Sequence, residues 1–234
     1  MRFDTFQFTD KGKRDPNEDS VGAFSDENFS AWIAADGLGG HINGELASAE
    51  AVAALDEKMR SCVSMDQTFV ESVMRSIHQR IGKLGGPLTT AVAAFSDAEK
   101  LFYSNCGDSR FIFIRKGKVL TRSNDHSVAY ALYRRGDIPY EEIPNNPHQN
   151  RLIHAMGVAD DFFGESYEPI SLEPGDAFIL CTDGFWELVS ERDVLRTLKV
   201  SPTAETWAEL MLDLLKERLT ETSDNYSLIT VQVK

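Results

Sequence analysis

The chain has 234 residues, of which 42% are hydrophobic and 26% are charged, and its formal net charge is −13. A chain of this length can bury a large core as one domain, and this composition excludes disorder throughout the chain. The negative charge argues against a nucleic-acid partner, because a polyanion would be repelled at long range.

The three cysteines, Cys62, Cys106 and Cys181, are too few and too scattered for a disulfide framework or a thiolate zinc site. None of them is followed by an arginine at the spacing of a Cys-x5-Arg motif. The N-terminus alternates and carries charge, unlike a secretory signal, and no apolar run reaches the roughly 18 residues of a membrane-spanning helix. We therefore expect a cytoplasmic protein without a membrane partner.

In the first half of the chain, continuous or alternating apolar residues predict strands at 3–8 and 29–35. An apolar stripe with a period near 3.6 then predicts a helix around residues 69–81. Further strands are expected at 89–95, 100–104, 110–115 and 118–122, the last two joined by a turn at Lys116-Gly117. Consecutive hairpins with helices between the groups favour antiparallel sheets covered by helices over a βαβ array.

In the second half, glycines and prolines predict an irregular excursion between residues 128 and 150. Strands are expected at 177–182 and 226–233. A helix at 190–198 starts with Ser190 and Asp193 spaced as a capping box, and Ser201-Pro202 opens another helix. An apolar stripe in that last helix fits either the core or a groove for a partner, and ordinary helix amphipathicity favours the core. The stripe consists of Trp207, Leu210, Met211, Leu214, Leu215 and Leu219.

Aspartates stand at the ends of predicted strands: Asp36, Asp183 and Asp224, with Asp108 in a turn between two strands. A single Asp-Gly at a strand end is most simply a turn, because aspartate suits turns and glycine takes positive φ. As a set, however, these carboxylates indicate a site for hard divalent cations, which take oxygen ligands. No histidine or cysteine cluster competes in the sequence, so Mg²⁺ or Mn²⁺ is favoured over Zn²⁺.

Two such ions about 3.5–4 Å apart can hold and activate a water for in-line attack on phosphorus. A glycine beside the bridging aspartate would let its backbone carbonyl approach an ion closely. The phosphate also needs a cationic partner, and Arg14 is a candidate because a guanidinium binds two phosphate oxygens at once. Taken alone, Arg14 would fit a solvated loop better.

Taken in order, eight segments resemble the PPM family of protein phosphatases, the phosphatase-2C-like enzymes. They extend from residue 14 to residue 225 in the family's order, which argues against a chance match. The segments are Arg14-Asp-Pro-Asn-Glu-Asp19, Ala35-Asp-Gly-Leu-Gly-Gly-His41, Thr89-Thr-Ala-Val92, Asn105-Cys-Gly-Asp-Ser-Arg110, Asn124-Asp-His-Ser127, Leu152-Ile-His-Ala-Met-Gly157, Leu180-Cys-Thr-Asp-Gly184 and Asp224-Asn225.

The resemblance implies an α+β fold of four layers, an α-β-β-α sandwich. In it, two antiparallel β-sheets are flanked by helices, and a dimetal site lies at one end of the sandwich. It also implies that residues 1–234 form a single phosphatase domain. Residues 128–150 correspond to the family's flap beside the active site.

By resemblance, Asp36 bridges two divalent ions, Mg²⁺ or Mn²⁺, and the carbonyl of Gly37 contacts one of them. Asp183 and Asp224 complete the protein ligands of the second ion. Asp108, together with Asp183, matches the position that recruits a weaker third ion in bacterial members.

The phosphate-binding arginine of the family matches Arg14, and acids that act mostly through bound waters match Glu18 and Asp19. The implied mechanism needs no phosphoenzyme. A metal-bridging water or hydroxide attacks phosphorus, and the serine or threonine oxygen leaves, with the ions and Arg14 stabilising the developing charge.

Two positions concern the proton for the leaving group. Leu38 occupies the place where eukaryotic members carry a histidine proposed as general acid, and bacterial members commonly have an apolar residue there. His41 is expected to cap or pack at the following helix rather than to donate a proton. The sequence leaves the source of that proton open.

The flap fits either a plain surface loop or a functional element, and a long loop beside a site is more often functional. Four of its side chains are candidates for contact with phosphoprotein substrates. They are Tyr133, Arg134, Arg135 and Tyr140.

We therefore expect a metal-dependent serine/threonine phosphatase that acts, as a monomer, on the phosphoprotein substrates of a bacterial Ser/Thr kinase. A catalytically weak family member kept as a regulatory binding module is the alternative, and it would have a broken metal set. Yet Asp36, Asp183 and Asp224 are all present. A structural calcium-binding protein would show a dense loop of acids such as an EF-hand, and the sequence has none.

Overall fold

The computed structural model describes residues 1–38, 43–158 and 162–234. Its helices and strands alternate in groups along the chain. In chain order they are β1 (Phe3–Asp10), β2 (Asp19–Ser25), β3 (Ser30–Asp36), α1 (Gly44–Arg60), α2 (Gln67–Gly82), β4 (Ala91–Ser96), β5 (Lys100–Cys106), β6 (Arg110–Arg115), β7 (Lys118–Arg122), α3 (Val128–Arg135), a 3-10 helix (Tyr140–Asn145), β8 (Glu165–Ser166), β9 (Ile170–Ser171), β10 (Ala177–Cys181), α4 (Asp183–Trp186), α5 (Glu191–Leu198), α6 (Ala204–Arg218) and β11 (Tyr226–Val233).

The strands of the described residues pair into two antiparallel sheets. One sheet has the order β1-β11-β10-β6-β7, and the other has the order β2-β3-β4-β5-β8, with β9 also pairing with β5. The pairings within both sheets are antiparallel. Helices cover the outer faces, so the expected sandwich of antiparallel sheets flanked by helices is confirmed.

Alternate residues of a strand point to opposite faces of its sheet, and β3 shows how this builds the layers. All residues of β3 except the last are buried. Trp32 packs between the two sheets, where its ring meets that of Phe178 edge-on at 5.0 Å. Its neighbour Ile33 faces the other way, into the core beneath α1 and α2. The apolar run predicted as a buried strand therefore serves two cores.

The predicted capping and turn signals form as expected. Ser190 and Asp193 make a reciprocal capping box at the start of α5. Lys116 and Gly117 have φ values of 52° and 71°, as a two-residue turn between antiparallel strands requires. Helix α6 begins later than expected, because the side chain of Thr203 caps it. The apolar stripe of α6 packs into the core, as expected, and Trp207 is fully buried against the first sheet.

The expectation of an irregular excursion at 128–150 is wrong for its first part. Val128–Arg135 is the helix α3, because the side chain of Ser127 caps its first turn and Gly136 ends it with a φ of 80°. The prolines do restrict the rest of the segment to a short 3-10 helix with Pro144 inside it. The segment therefore consists largely of a helix and a 3-10 helix that pack against the rest of the protein.

Among the longer elements, α1 and β2 were not predicted. Helix α1 buries small residues such as Ala47, Ala51 and Ala54, so its apolar stripe is inconspicuous in the sequence. Strand β2 begins with Asp19 and contains Gly22, which weakens a strand pattern. His41, for which a packing role was expected, lies outside the described residues. None of the helices in the described ranges is long and apolar enough to cross a membrane.

Candidate active site

Asp36 is the last residue of β3, and threonines of the loop before β4 hold its backbone. The Asp36 N–H donates to the side-chain oxygen of Thr90 at 3.1 Å, and the Thr90 N–H donates to the Asp36 carbonyl at 2.8 Å. The Thr89 hydroxyl donates to the same carbonyl at 2.7 Å. The Thr-Thr segment that carried part of the resemblance therefore anchors the backbone of the aspartate.

Gly37 lies where two backbone segments come very close. A Cβ atom at this position would lie 2.3 Å from the carbonyl oxygen of Gly44 and 2.8 Å from that of Glu18. The Gly37 N–H also donates to the Glu18 carbonyl at 3.0 Å. Only glycine fits here, which explains the Asp-Gly pair by packing as well as by turn preference.

Asp183 follows the end of β10 and opens the short helix α4. A Cβ atom on the next residue, Gly184, would lie 2.0 Å from the carbonyl oxygen of Asn225, so this second Asp-Gly is also fixed by a close backbone approach. The loop before β11 therefore lies directly against the turn that carries Asp183.

Asp224 and Glu18 are joined through Asn225. The Glu18 N–H donates to the Asn225 side-chain oxygen at 2.8 Å, and the Asn225 side-chain amide donates to the Lys11 carbonyl at 2.8 Å. Arg14 pairs with Asp224, with Nη2 and Oδ2 at 3.1 Å, and both side chains remain partly exposed. The N-terminal loop and the loop before the last strand thus meet at one place.

Asp108 lies in the turn between β5 and β6 and is buried. Its backbone carbonyl accepts the indole N–H of Trp186 at 2.9 Å. The next residue, Ser109, shares a hydrogen bond of 2.7 Å with the hydroxyl of Thr90. The turn is therefore tied to α4 on one side and to the threonines beside Asp36 on the other.

These elements enclose one cavity of about 430 Å³, and the structure brings all but one of the predicted site residues to its wall. Asp19 is the exception, since it lies behind the wall. The lining residues are Arg14, Asp15, Pro16, Glu18, Asp36, Gly37, Leu38, Asp108, Asn150, Leu152, Asp183 and Asp224.

Burial, together with neighbouring carboxylates, raises the pKa values of three aspartates in this cavity, Asp36, Asp108 and Asp183. The pKa of Asp36 lies well above its usual range, because the surrounding protein shields the carboxyl from solvent and the negative charge of Asp183 lies nearby. The pKa of Asp108 is raised well above its usual range by the same causes. Burial and the charge of Asp224 raise the pKa of Asp183 to about 6. Carboxylates gathered this closely need positive charge nearby to stay ionised.

Asp19 lies behind the cavity wall, next to Asp36. It faces Asp36 as its register partner across β2 and β3. Its Oδ2 accepts hydrogen bonds from Thr182 at 2.8 Å and from Ser227 at 2.7 Å. Burial nevertheless raises the pKa of Asp19 to about 7, and its other oxygen, Oδ1, is buried without a hydrogen-bond partner. Buried polar atoms normally have a hydrogen-bond partner, and a bound cation or its waters would supply the partner that Oδ1 lacks.

The donor set fits hard divalent ions, since it consists of carboxylate and backbone oxygens. Among the residues the structure describes, no three acid, imidazole or thiol side chains form a dense chelating cluster. The carboxylates instead stand around the cavity. Magnesium-type ions suit such a wall, because they usually take one or two carboxylates and keep several waters.

Sequence reasoning missed Glu187, whose pKa is raised to about 8 by burial and by the negative charge of Asp183. Glu187 lies at the end of α4, and its N–H donates to the Asp183 carbonyl at 2.9 Å. The spacing of four residues on a helical turn was available as a signal, because it places two side chains on one face. Thr182 and Ser227 were also missed, and nothing local marks them as partners of Asp19.

Known proteins resemble this chain over most of its length. Residues 11–222 match the family model described as protein phosphatase 2C. The chain belongs to the protein phosphatase 2C family.

Several bacterial proteins of this family are similar to the chain. The chain is 30% identical over 218 residues to a serine/threonine phosphatase stp of Listeria monocytogenes, covering 87% of this chain and 86% of the relative. Among solved structures of the phosphatase 2C family, the serine/threonine phosphatase Stp1 from Staphylococcus aureus superposes with a TM-score of 0.89 at 26% identity, covering 100% of this chain and 96% of that one. The catalytic domain of the phosphatase PstP, solved in complex with two manganese ions, superposes with a TM-score of 0.83 at 25% identity, covering 99% of each chain.

Proposed function

We propose that Asp36, the Gly37 carbonyl, Asp183 and Asp224 hold two divalent ions in the cavity of this phosphatase 2C enzyme. The enzyme is a metal-dependent serine/threonine protein phosphatase. The observation that carries the ligand assignment is the convergence of these residues, far apart in the chain, on one cavity in which the pKa values of Asp36 and Asp183 are raised. The two manganese ions of the related PstP domain support the same number of ions here.

When bound, the divalent ions supply Lewis acidity and a water acidic enough to attack phosphorus. Asp36, held through its backbone by Thr89 and Thr90, keeps its carboxylate at the end of β3, where it would be a ligand to both ions. Asp183 and Asp224 would hold the second ion. Mg²⁺ and Mn²⁺ both fit this oxygen donor set.

Arg14 binds the phosphate of the substrate. Its guanidinium already lies at the cavity wall, 3.1 Å from Asp224, and a planar guanidinium offers two parallel donors to phosphate oxygens. As negative charge develops on those oxygens, Arg14 stabilises it.

Glu18 and Asp19 act indirectly, through water. Glu18 reaches the cavity wall, and burial followed by the charges of Glu45 and Asp224 raises its pKa. Asp19 lies behind the wall with one free oxygen, which orients water at the ions rather than the substrate. Asp108, together with Asp183, would hold a third, weaker ion.

The leaving oxygen of serine or threonine needs a proton, and Leu38 at the cavity wall has none to give. Phosphoproteins, those of a Ser/Thr kinase, are the substrates, and the exposed Arg134 and Arg135 of the flap are suited to contact them. The enzyme acts as a cytoplasmic monomer.

A direct assay tests this proposal. Purified protein is incubated with Mn²⁺ and either para-nitrophenyl phosphate or a phosphothreonine peptide, and released phosphate is measured. Both substrates should be hydrolysed, EDTA should abolish turnover, and added Mn²⁺ should restore it. Tight binding of the phosphopeptide without any hydrolysis would instead favour a regulatory binding module.

A further inference from the structure

Arg110, the first residue of β6, is almost fully buried and joins several parts of the protein. Its guanidinium makes a bidentate pair with Asp125, with Nε–Oδ1 at 2.9 Å and Nη2–Oδ2 at 2.6 Å. Its Cζ also lies 3.5 Å from the ring centroid of Trp186 and 5.5 Å from that of Tyr140. The guanidinium therefore joins Asp125 to two aromatic rings from different parts of the protein, Trp186 of α4 and Tyr140 of the 3-10 helix.

Toward the active site, Arg110 is connected to Asp108 through Trp186. Trp186 stacks with Arg110 and donates its indole N–H to the Asp108 carbonyl at 2.9 Å. Trp186 also belongs to α4, the helix that begins with Asp183. The position of the arginine therefore bears on the turn and the helix that carry two of the cavity aspartates.

On the side of the flap, defined as residues 128–150, the contact is Tyr140. The guanidinium of Arg122 lies over the Tyr140 ring at 4.5 Å, and the Tyr140 hydroxyl donates to Glu191 at 3.2 Å. Arg122 pairs with the same Glu191 at 2.9 Å. The middle of the flap is thus seated between two arginines, and its far end, at Asn150, lines the cavity.

We propose that Arg110 is a positioning residue that couples Tyr140 of the flap to the turn that carries Asp108. This inference rests on the proposed function. The coupling runs from Tyr140 through the guanidinium to Trp186 and then to the Asp108 carbonyl. Cation–π contacts fix both the position and the orientation of a guanidinium between ring faces. A displaced Tyr140 therefore changes the support of Trp186 and of the turn behind it.

The same strand supplies a matched control. Arg115, at the other end of β6, makes a bidentate pair with Asp176 at 2.8 and 2.7 Å. It does not line the cavity, and its contacts in the described part of the chain, with Asp176, Ser171, Glu173 and Phe113, include no flap residue. Arg110→Lys and Arg115→Lys each lose a bidentate pair, but only Arg110→Lys loses the contact with Trp186 and Tyr140.

The experiment compares Arg110→Lys, Arg115→Lys, Tyr140→Leu, Tyr140→Phe and the double variant Arg110→Lys/Tyr140→Leu. For each, kcat and KM for a phosphothreonine peptide, the melting temperature, and the rate of tryptic cleavage in the flap after the exposed Arg134 and Arg135 are measured. Arg110→Lys and Tyr140→Leu should each lower kcat by roughly 10-fold, the effect expected of a residue that orients a site from behind, with little change in KM. Tyr140→Phe, which keeps the ring, should recover most of the loss.

Coupling makes the two effects overlap, so the double variant should fall no further than the worse single variant. Tryptic cleavage of the flap should accelerate in Arg110→Lys and not in Arg115→Lys, and this readout does not depend on phosphatase activity. If both arginine variants lower the melting temperature equally and leave kcat unchanged, Arg110 has only a structural role as part of an ion pair. Additive losses in the double variant, or an unchanged Tyr140→Leu, would remove the flap from the path.

Discussion

Asp19 and Asp36 face each other as register partners on the adjacent strands β2 and β3. Burial raises the pKa of both carboxyls, and each is further raised by acids across the cavity. Only Asp36 reaches the cavity wall, whereas Asp19 is held behind it by Thr182 and Ser227. The pair thus has one member that can touch an ion and one that acts through water.

The first prediction concerns Asp36. Asp36→Asn should lower kcat/KM by more than about 100-fold, since loss of a direct ligand should exceed the 10–100-fold typical of residues behind a metal site. The melting temperature without metal should hold or rise, because one buried, repelled carboxylate is removed. Asp213→Asn, at an exposed position of α6, is the control and should behave as wild type. Wild-type turnover in Asp36→Asn would refute its role as a ligand.

The second prediction ranks Asp19 below Asp36. Asp19→Asn should lower kcat/KM by about 10–100-fold, as expected for a group that orients water or ligands. Ser227→Ala removes one of the two hydroxyls on Asp19 Oδ2 and should have a smaller effect in the same direction. Steady-state kinetics at saturating Mn²⁺ measure both. An Asp19 variant as impaired as Asp36→Asn would indicate direct ligation instead.

The third prediction concerns Arg14. Arg14→Ala should raise KM for phosphopeptide and weaken inhibition by inorganic phosphate, because the bidentate donor to phosphate is lost. Arg14→Lys should recover only part of the affinity, since an ammonium cannot reproduce two parallel donors. Lys13→Ala, at the exposed neighbouring position, controls for loss of a nearby positive charge. Equal effects of the two alanine variants would point to general electrostatics.

The fourth prediction concerns metal binding and stability. Mn²⁺ should raise the free energy of unfolding by about 2.7 kcal/mol at a concentration 100 times its Kd, because it binds the folded chain. Thermal melts across a Mn²⁺ titration measure this, and EDTA should reverse it. The stabilisation should shrink strongly in Asp183→Asn. A melting temperature that ignores Mn²⁺ in the wild type would contradict a metal site in the cavity.

The fifth prediction concerns the thiols. Burial raises the pKa of Cys181 to about 12, so very little thiolate exists at pH 8, and the side chain is fully buried. Cys106 is buried as well, whereas Cys62 is only half-buried. Labelling with a thiol reagent at pH 8 should therefore modify Cys62 first, and the other two only after denaturation. Peptide mapping by mass spectrometry would reveal rapid native labelling of Cys181 if this is wrong.

Much of the architecture was accessible from local pattern. The strand at Tyr226–Val233, the hairpin at Lys116-Gly117 and the capping box at Ser190 follow from periodicity and turn chemistry, which act over a few residues. Helix α3 is short, so its pattern is weak in the sequence, although Ser127 caps it. Helix α1 was missed because alanines make an inconspicuous stripe.

The sequence by itself determined which residues are candidates, because Asp36-Gly37, Asp183-Gly184 and Arg14 stand in an order that the phosphatase 2C family shares. Only the tertiary structure decided that they share one cavity, that Asp19 stands behind its wall, and that Arg110 links the flap to Asp108. The physical reason is distance along the chain. Turn and helix signals arise between near neighbours, whereas the contact of Ser227 with Asp19 exists only after both sheets have formed.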